Sequence, residues 1–279
     1  MPRSLLFTLL LCVSLSVCLE LKASELMIIA HRGGVVDAER SENSILALEE
    51  AIKRGYTHVE VDARMTVDGH VVCFHNDSLF EEAGVDGRIS ELPLREVTQI
   101  VLPRSKEKIP TFDDYCSRCA GRIGVMVDLK GCPERYVKQY AREIETSLKR
   151  HGLLQDALIL INKEPINNQG KVIDHLRGKA KISWRKTLKE TQRAARENPR
   201  FSEHYYIFNH GADFTIEDVK GFQALRLKVV VSINTQHYQK EDSILQGPQH
   251  IRTMMEFGVD GLQIDSLYDG EVFRTENFN

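Results

Sequence analysis

Glu60 and Asp62 stand two residues apart in the apolar run 58–64. Side chains of a β-strand alternate between faces, so both carboxylates leave one face while Val59, Val61 and Ala63 take the other. Two unpaired carboxylates side by side repel. A divalent cation relieves that repulsion, and an all-oxygen donor set suits a hard ion, Ca²⁺ or Mg²⁺. A salt bridge to Arg64 or a neighbouring Lys would relieve it equally well, and spacing alone leaves both open. The run 123–129 repeats the pattern: Met126, Asp128 and Lys130 share one face, which brings a third carboxylate and an ammonium group to the same end of a sheet. His31 and Arg32 follow the apolar run 26–30, and His75 ends the run 71–75. Three carboxylates, two imidazoles, a guanidinium and an ammonium group together suit acid–base chemistry on an anion.

These groups need strands to carry them. Strand-like runs at 26–30, 58–64, 123–129, 157–161, 181–184, 205–208, 228–233 and 261–264 alternate with helical patterns at 44–54, 111–120, 134–150, 164–176, 188–197, 216–227 and 249–257, with a short helix near Glu271. Asn43 is expected to cap the first helix and Gly55 to stop it. Residues 71–75 follow the turn Asp68-Gly69 and form a hairpin with 58–64. Residues 76–110 read as an irregular, polar insertion. Eight strand–helix units over about 250 residues predict a TIM (β/α)8 barrel with a small insertion after strand two. No GxGxxG follows the first strand, which disfavours a doubly wound dinucleotide fold. In a barrel the active site lies at the C-terminal ends of the strands, where these residues fall.

The 279-residue chain is 42% hydrophobic and 28% charged, ordinary for a globular protein, and its net charge of -3 offers no basic surface for nucleic acid. Residues 4–19 carry no charge and follow Arg3. The run is short for a bilayer span, which takes about 20 residues. Residues 1–24 therefore read as a signal peptide or N-terminal anchor, and 25–279 as one domain with its insertion at about 76–110. The chain is expected to be exported, periplasmic or secreted, with lipidation at Cys18 and membrane attachment through the N-terminus left open. Cys12 and Cys18 fall in that segment; Cys73, Cys116, Cys119 and Cys132 do not. The Cys116/Cys119 spacing lacks a second ligand pair, so thiols or a structural bridge are expected rather than zinc. His58 reads as core or bottom-face and His210 as structural. Trp184 is left to line a pocket or plug the barrel, and Arg185, Lys186, Lys189, Arg193 and Arg196 read as a solvated basic face.

The ordered set Ala30-His31-Arg32-Gly33, Glu42-Asn43-Ser44, Glu60-Val61-Asp62, Asp68-Gly69, Phe74-His75-Asn76, Ile109-Pro110-Thr111-Phe112, Asp128-Leu129-Lys130 and Gly258-Val259-Asp260-Gly261 with Asp265 resembles the glycerophosphodiester phosphodiesterase family. The similarity is densest over 30–130 and returns at the end of the chain. The resemblance implies metal-dependent hydrolysis of a glycerophosphodiester to an alcohol and sn-glycerol 3-phosphate. It implies His31 and His75 as acid and base, Glu60, Asp62 and Asp128 as ligands of one divalent cation, and Arg32 and Lys130 as phosphate-binding groups. The partner it implies is a small-molecule phosphodiester.

The sequence departs from the family pattern at Asp128, where Glu is usual, at Asn76 for Asp, at Ser41 for Pro, and at Ile264 for Thr. It also lacks a Trp in the strand 229–233. These departures bear on substrate. A lysophospholipase D-type or cyclising reaction on lipid is one alternative, and would want an apolar lip such as Leu79, Phe80, Val85 and Ile89. A non-catalytic binding module is the other.

Overall fold

The computed structural model describes residues 26–273. The signal-like segment 1–24, with Cys12 and Cys18, lies outside the described residues. Nine strands run in chain order: β1 Met27–Ala30, β2 His58–Met65, β3 Val71–Cys73, β4 Gly124–Leu129, β5 Leu158–Leu160, β6 Lys181–Trp184, β7 Tyr205–His210, β8 Val229–Ile233 and β9 Gly261–Ile264. They form one sheet in the order β1-β9-β8-β7-β6-β5-β4-β2-β3, and β1 also pairs with β2. All of these pairings are parallel except β2 with β3. Eight strands thus close a parallel barrel, and β3 is the antiparallel arm of a hairpin on β2.

The helices are α1 Ile45–Arg54, α2 Phe80–Ala83, α3 Leu94–Val97, α4 Phe112–Cys119, α5 Val137–Arg150, α6 Gln169–Leu176, α7 Leu188–Glu197, α8 Phe201–His204, α9 Ile216–Ala224, α10 Asp242–Phe257 and α11 Asp269–Phe273. None of them is long and apolar enough to cross a membrane. Alternation sorts the strand residues into two apolar layers. Met27, Ile29, Met126, Leu158, Leu160, Tyr206, Phe208 and Val230 fill the barrel. Val59, Val61, Val125, Val127, Ile159, Val229, Val231 and Leu262 face the helices. Burying both faces favours branched side chains on a parallel strand.

Several elements differ from the sequence expectation. The cap of α1 is Ser44, whose hydroxyl accepts from the Ala47 N–H at 3.2 Å, while Asn43 has φ 56° and turns its side chain elsewhere. The insertion is not irregular: it contains α2, α3 and a core of its own, with Val72, Phe74, Leu79, Ile89, Val97, Leu102 and Ile109 buried together. Leu79 and Ile89 are therefore interior, and only Phe80 and Val85 of the expected lip are exposed. α6 starts at Gln169 rather than 164, and α10 starts at Asp242, with Pro248 inside it.

Trp184 faces the helices, where its Nε1–H donates to Thr191 Oγ1 at 2.9 Å and its ring meets Phe201 and Tyr205, so it neither lines a pocket nor plugs the barrel. Cys73, Cys116, Cys119 and Cys132 are buried free thiols. Burial raises the Cys119 thiol to about 12, which leaves it protonated and inert at neutral pH.

Candidate active site

The loop after β1 is fixed by close backbone packing. Arg32 has φ 52°, its N–H donates to Glu60 Oε2 at 2.7 Å, and the Gly33 N–H donates to the Glu60 carbonyl at 2.6 Å. Gly34 has φ 130°, and a Cβ there would lie 2.2 Å from the Ala47 carbonyl oxygen, so only glycine fits. His31 and Arg32 are thereby held at the mouth beside β2.

The register Glu60↔Met126 and Asp62↔Asp128 brings the third carboxylate level with the second. Glu60, Asp62 and Asp128 each offer an oxygen within 4.8 Å of the others. Lys130 Nζ lies 2.8 Å from Asp62 Oδ1 and 2.6 Å from Asp128 Oδ2. The Lys partner weighed from the sequence is thus Lys130. Arg64 instead donates to the His75 carbonyl at 2.5 Å.

One ammonium group does not balance three carboxylates. Burial, with Asp62 and Asp128 alongside, holds the Glu60 carboxyl well above its usual range. Burial also opposes ionisation of Asp62, but Lys130, helped by His75 and Asn43, keeps that carboxyl well below the usual range. Lys130 stays charged despite its own burial because Asp62, Asp128 and Glu60 surround it. A hard divalent cation fits this donor set, since it would relieve the buried Glu60 directly.

The two imidazoles are oriented from behind. Asp265, just past β9, accepts from His31 Nδ1 at 2.6 Å through Oδ1, and from Thr235 N–H and Oγ1–H at 2.7 and 2.6 Å through Oδ2. Although burial opposes it, His31 and Thr235 hold the Asp265 carboxyl down at about 2. An ionised carboxylate only accepts, so Nδ1 carries the proton and Nε2 is left as the working nitrogen. His75 is held more weakly. Its Nδ1 lies 3.0 Å from Asn76 Oδ1, and Asn76 Nδ2 donates to Glu81 Oε2 at 2.8 Å, which turns the amide oxygen toward the ring. Burial lowers the proton affinity of His75, against the pull of Asp62 and with Lys130 and Arg32 adding to the effect.

Arg32 donates through Nη1 to Glu42 Oε2 at 2.6 Å and through Nη2 to Gln236 Oε1 at 3.2 Å. Behind it, burial and the Glu42 carboxylate push Glu82 up to about 8, so Glu82 carries a proton at neutral pH. A cleft of about 1090 Å³ opens beside His31 and Arg32, with walls from the insertion (Glu82, Leu102) and from the loops after β8 and β9 (Tyr238, Leu267).

All seven residues singled out in the sequence meet at this mouth. Sequence reasoning missed Asn43, which donates from Nδ2 to Asp62 Oδ2 at 2.7 Å and accepts the Asp62 N–H at 3.1 Å. It gave Asp265 no role, and it passed over His237, whose Nδ1 lies 2.8 Å from His210 Nδ1. His58 is at the opposite, bottom end beside Thr57, and burial brings its imidazole down to about 4.

Residues 31–207 match the Glycerophosphoryl diester phosphodiesterase family. Glycerophosphodiester phosphodiesterase 1 of Homo sapiens is 31% identical over 112 residues, which are 37% of this chain and 33% of that protein. The chain spans a third to a half of the length of the curated relatives first matched. Among solved structures, a glycerophosphoryl diester phosphodiesterase from Parabacteroides distasonis ATCC 8503 superposes with a TM-score of 0.70 at 17% identity, covering 91% of this chain and 88% of the other. An Oleispira antarctica phosphodiesterase, solved in complex with the product sn-glycerol-3-phosphate, gives 0.68 at 20% identity, covering 88% and 96%. Those two likenesses establish the shared fold.

Proposed function

Because this chain belongs to the glycerophosphoryl diester phosphodiesterase family, we propose that it hydrolyses glycerophosphodiesters to an alcohol and sn-glycerol 3-phosphate. The observation that carries the reading is the juxtaposition of two oriented imidazoles with three carboxylates in one barrel mouth. A relative solved with sn-glycerol-3-phosphate supports the choice of product.

Glu60, Asp62 and Asp128 would hold a divalent cation, which when bound neutralises charge on the phosphate as a Lewis acid. Arg32 presents a planar fork to phosphate oxygens, and its ion pair with Glu42 keeps that fork in place. Lys130 ties Asp62 to Asp128 and adds positive charge beneath the phosphate. His75, deprived of a charged partner at Nδ1, is neutral and takes the proton of the attacking hydroxyl, which belongs either to water or to the neighbouring glycerol carbon; in the second case a cyclic phosphate forms first and water opens it to sn-glycerol 3-phosphate. His31, its Nδ1 held by the Asp265 carboxylate, turns Nε2 to the mouth and delivers a proton to the leaving oxygen. The test is turnover of glycerophosphocholine by His31→Ala and His75→Ala. Each loses about 10²–10⁴-fold if these groups move the protons; full activity in both ends the proposal.

The lipid-directed reading keeps less support, since two of its four expected lip residues pack inside the insertion. The choice between Ca²⁺ and Mg²⁺ rests with metal reconstitution. Export is proposed on the character of residues 1–24 alone, and N-terminal sequencing of the mature chain tests it.

A further inference from the structure

Arg185 does not belong to the solvated basic face expected of its neighbours. Lys186, Lys189, Arg193 and Arg196 are exposed, whereas Arg185 is half-buried. It follows β6 directly, and its guanidinium lies over the ring of Phe208, 5.4 Å from the centroid. Phe208 points into the barrel, so Arg185 is at the mouth. The strand order places β6 four strands from β1 in either direction, so Arg185 stands across the mouth from Arg32.

Beyond the Phe208 ring, its charge has no ionic partner. Arg185 forms no ion pair among the described residues, and its buried Nε has no hydrogen-bond acceptor. The charged groups that reach it are Asp128 within the mouth and the exposed Asp213, both beyond ion-pair distance. His210 and His237, packed ring to ring nearby, offer no anion. A partly desolvated guanidinium without a counter-charge is unfavourable unless something supplies one.

The charges of the mouth indicate what that is. Lys130 and one divalent cation would balance the three carboxylates, and Arg32 is balanced by Glu42. Glu82 holds a proton. Arg185 is then a positive charge of the mouth without an ionic partner, as is Arg64, whose guanidinium is instead engaged by the His75 carbonyl, and a phosphodiester monoanion is the complement of Arg185. We propose that Arg185 is a substrate-binding residue that takes a non-bridging oxygen of the substrate phosphate, from the side opposite Arg32. This rests on the phosphodiesterase reading and extends it to a residue outside the family's motifs. Two forks facing each other fix the phosphate's orientation as well as its charge.

The experiment is calorimetric titration of the full metal-loaded chain with sn-glycerol 3-phosphate, comparing wild type, Arg185→Gln and Arg185→Lys. Charge-assisted hydrogen bonds of this kind predict a Kd raised about 10- to 100-fold in Arg185→Gln, with Arg185→Lys between. The melting temperature of Arg185→Gln should stay level or rise, because an unpaired charge is removed, which a structural role would not allow. Weakened binding in Arg185→Gln supports the assignment even if glycerophosphodiesters prove not to be the substrate. Binding by Arg185→Gln within about twofold of wild type, or no binding by wild type, overturns it, and turnover by wild type in that case leaves the phosphodiesterase reading standing.

Discussion

Glu60→Gln should make the metal-free protein more stable and the metal-loaded protein less so. Glu60 is 1% exposed and offers an oxygen within 4.8 Å of both Asp62 and Asp128. At an effective dielectric of about 20, two like charges at that separation repel by roughly 3.5 kcal/mol. Lys130 already contacts Asp62 and Asp128 and offsets only part of this. Gln retains an oxygen to accept the Arg32 N–H, so the loop after β1 keeps its anchor. Removing this buried acid, which burial and its carboxylate neighbours keep from ionising, should then stabilise the chelated protein by about 1–3 kcal/mol, a rise in Tm of roughly 2–4 °C per kcal/mol for a domain of this size. Adding Mg²⁺ or Ca²⁺ reverses the order. Wild type gains about 2.7 kcal/mol at a hundredfold excess over Kd, whereas the variant has lost one of three ligands. Scanning calorimetry with chelator and with millimolar metal reads both arms. A variant less stable than wild type in chelator, with an undiminished metal-induced shift, would refute the reasoning.

Other expectations follow from the same contacts. Asn43→Ala strands the Asp62 N–H and Oδ2 in a buried site, and should destabilise by about 1–3 kcal/mol and weaken metal affinity; thermal melts with and without metal check both. If His31 is the proton donor, a substrate with a nitrophenolate leaving group should restore most activity to His31→Ala and little to His75→Ala; equal restoration would reverse or void the assignment. Glu82 ionises near 4.5 when unfolded and near 8 when folded, so the folded state binds more protons between those values and stability falls as pH rises through them. Denaturant titrations should show that fall in wild type and a flatter profile in Glu82→Gln.

Much of the barrel was legible because its signals are local. Strict alternation in β2 and β4 put Glu60, Asp62 and Asp128 on inward faces without any knowledge of which strands pair. What was hidden depends on register or long-range closure. The level placement of Asp62 and Asp128 is set by pairing across 66 sequence positions between β2 and β4. The His31–Asp265 contact spans 234 positions and exists only because β9 closes against β1. Asn43 was misassigned because its residue type and position suit a helix cap, a local role that tertiary contacts to Asp62 displace. Arg185 was concealed by a run of basic neighbours; its distinguishing feature is its place immediately after a strand and before the Thr187 cap. The insertion's four-residue helices are too short to show a period, and their burial comes from a small core of their own.

The central claim is that this mouth hydrolyses a glycerophosphodiester with its carboxylates loaded. The most direct measurement is sn-glycerol 3-phosphate release from glycerophosphocholine by the purified chain, before chelation, after it, and after return of Mg²⁺ or Ca²⁺. The account predicts release that stops on chelation and returns with the metal. No release under any of these conditions, or release indifferent to chelation, would contradict it.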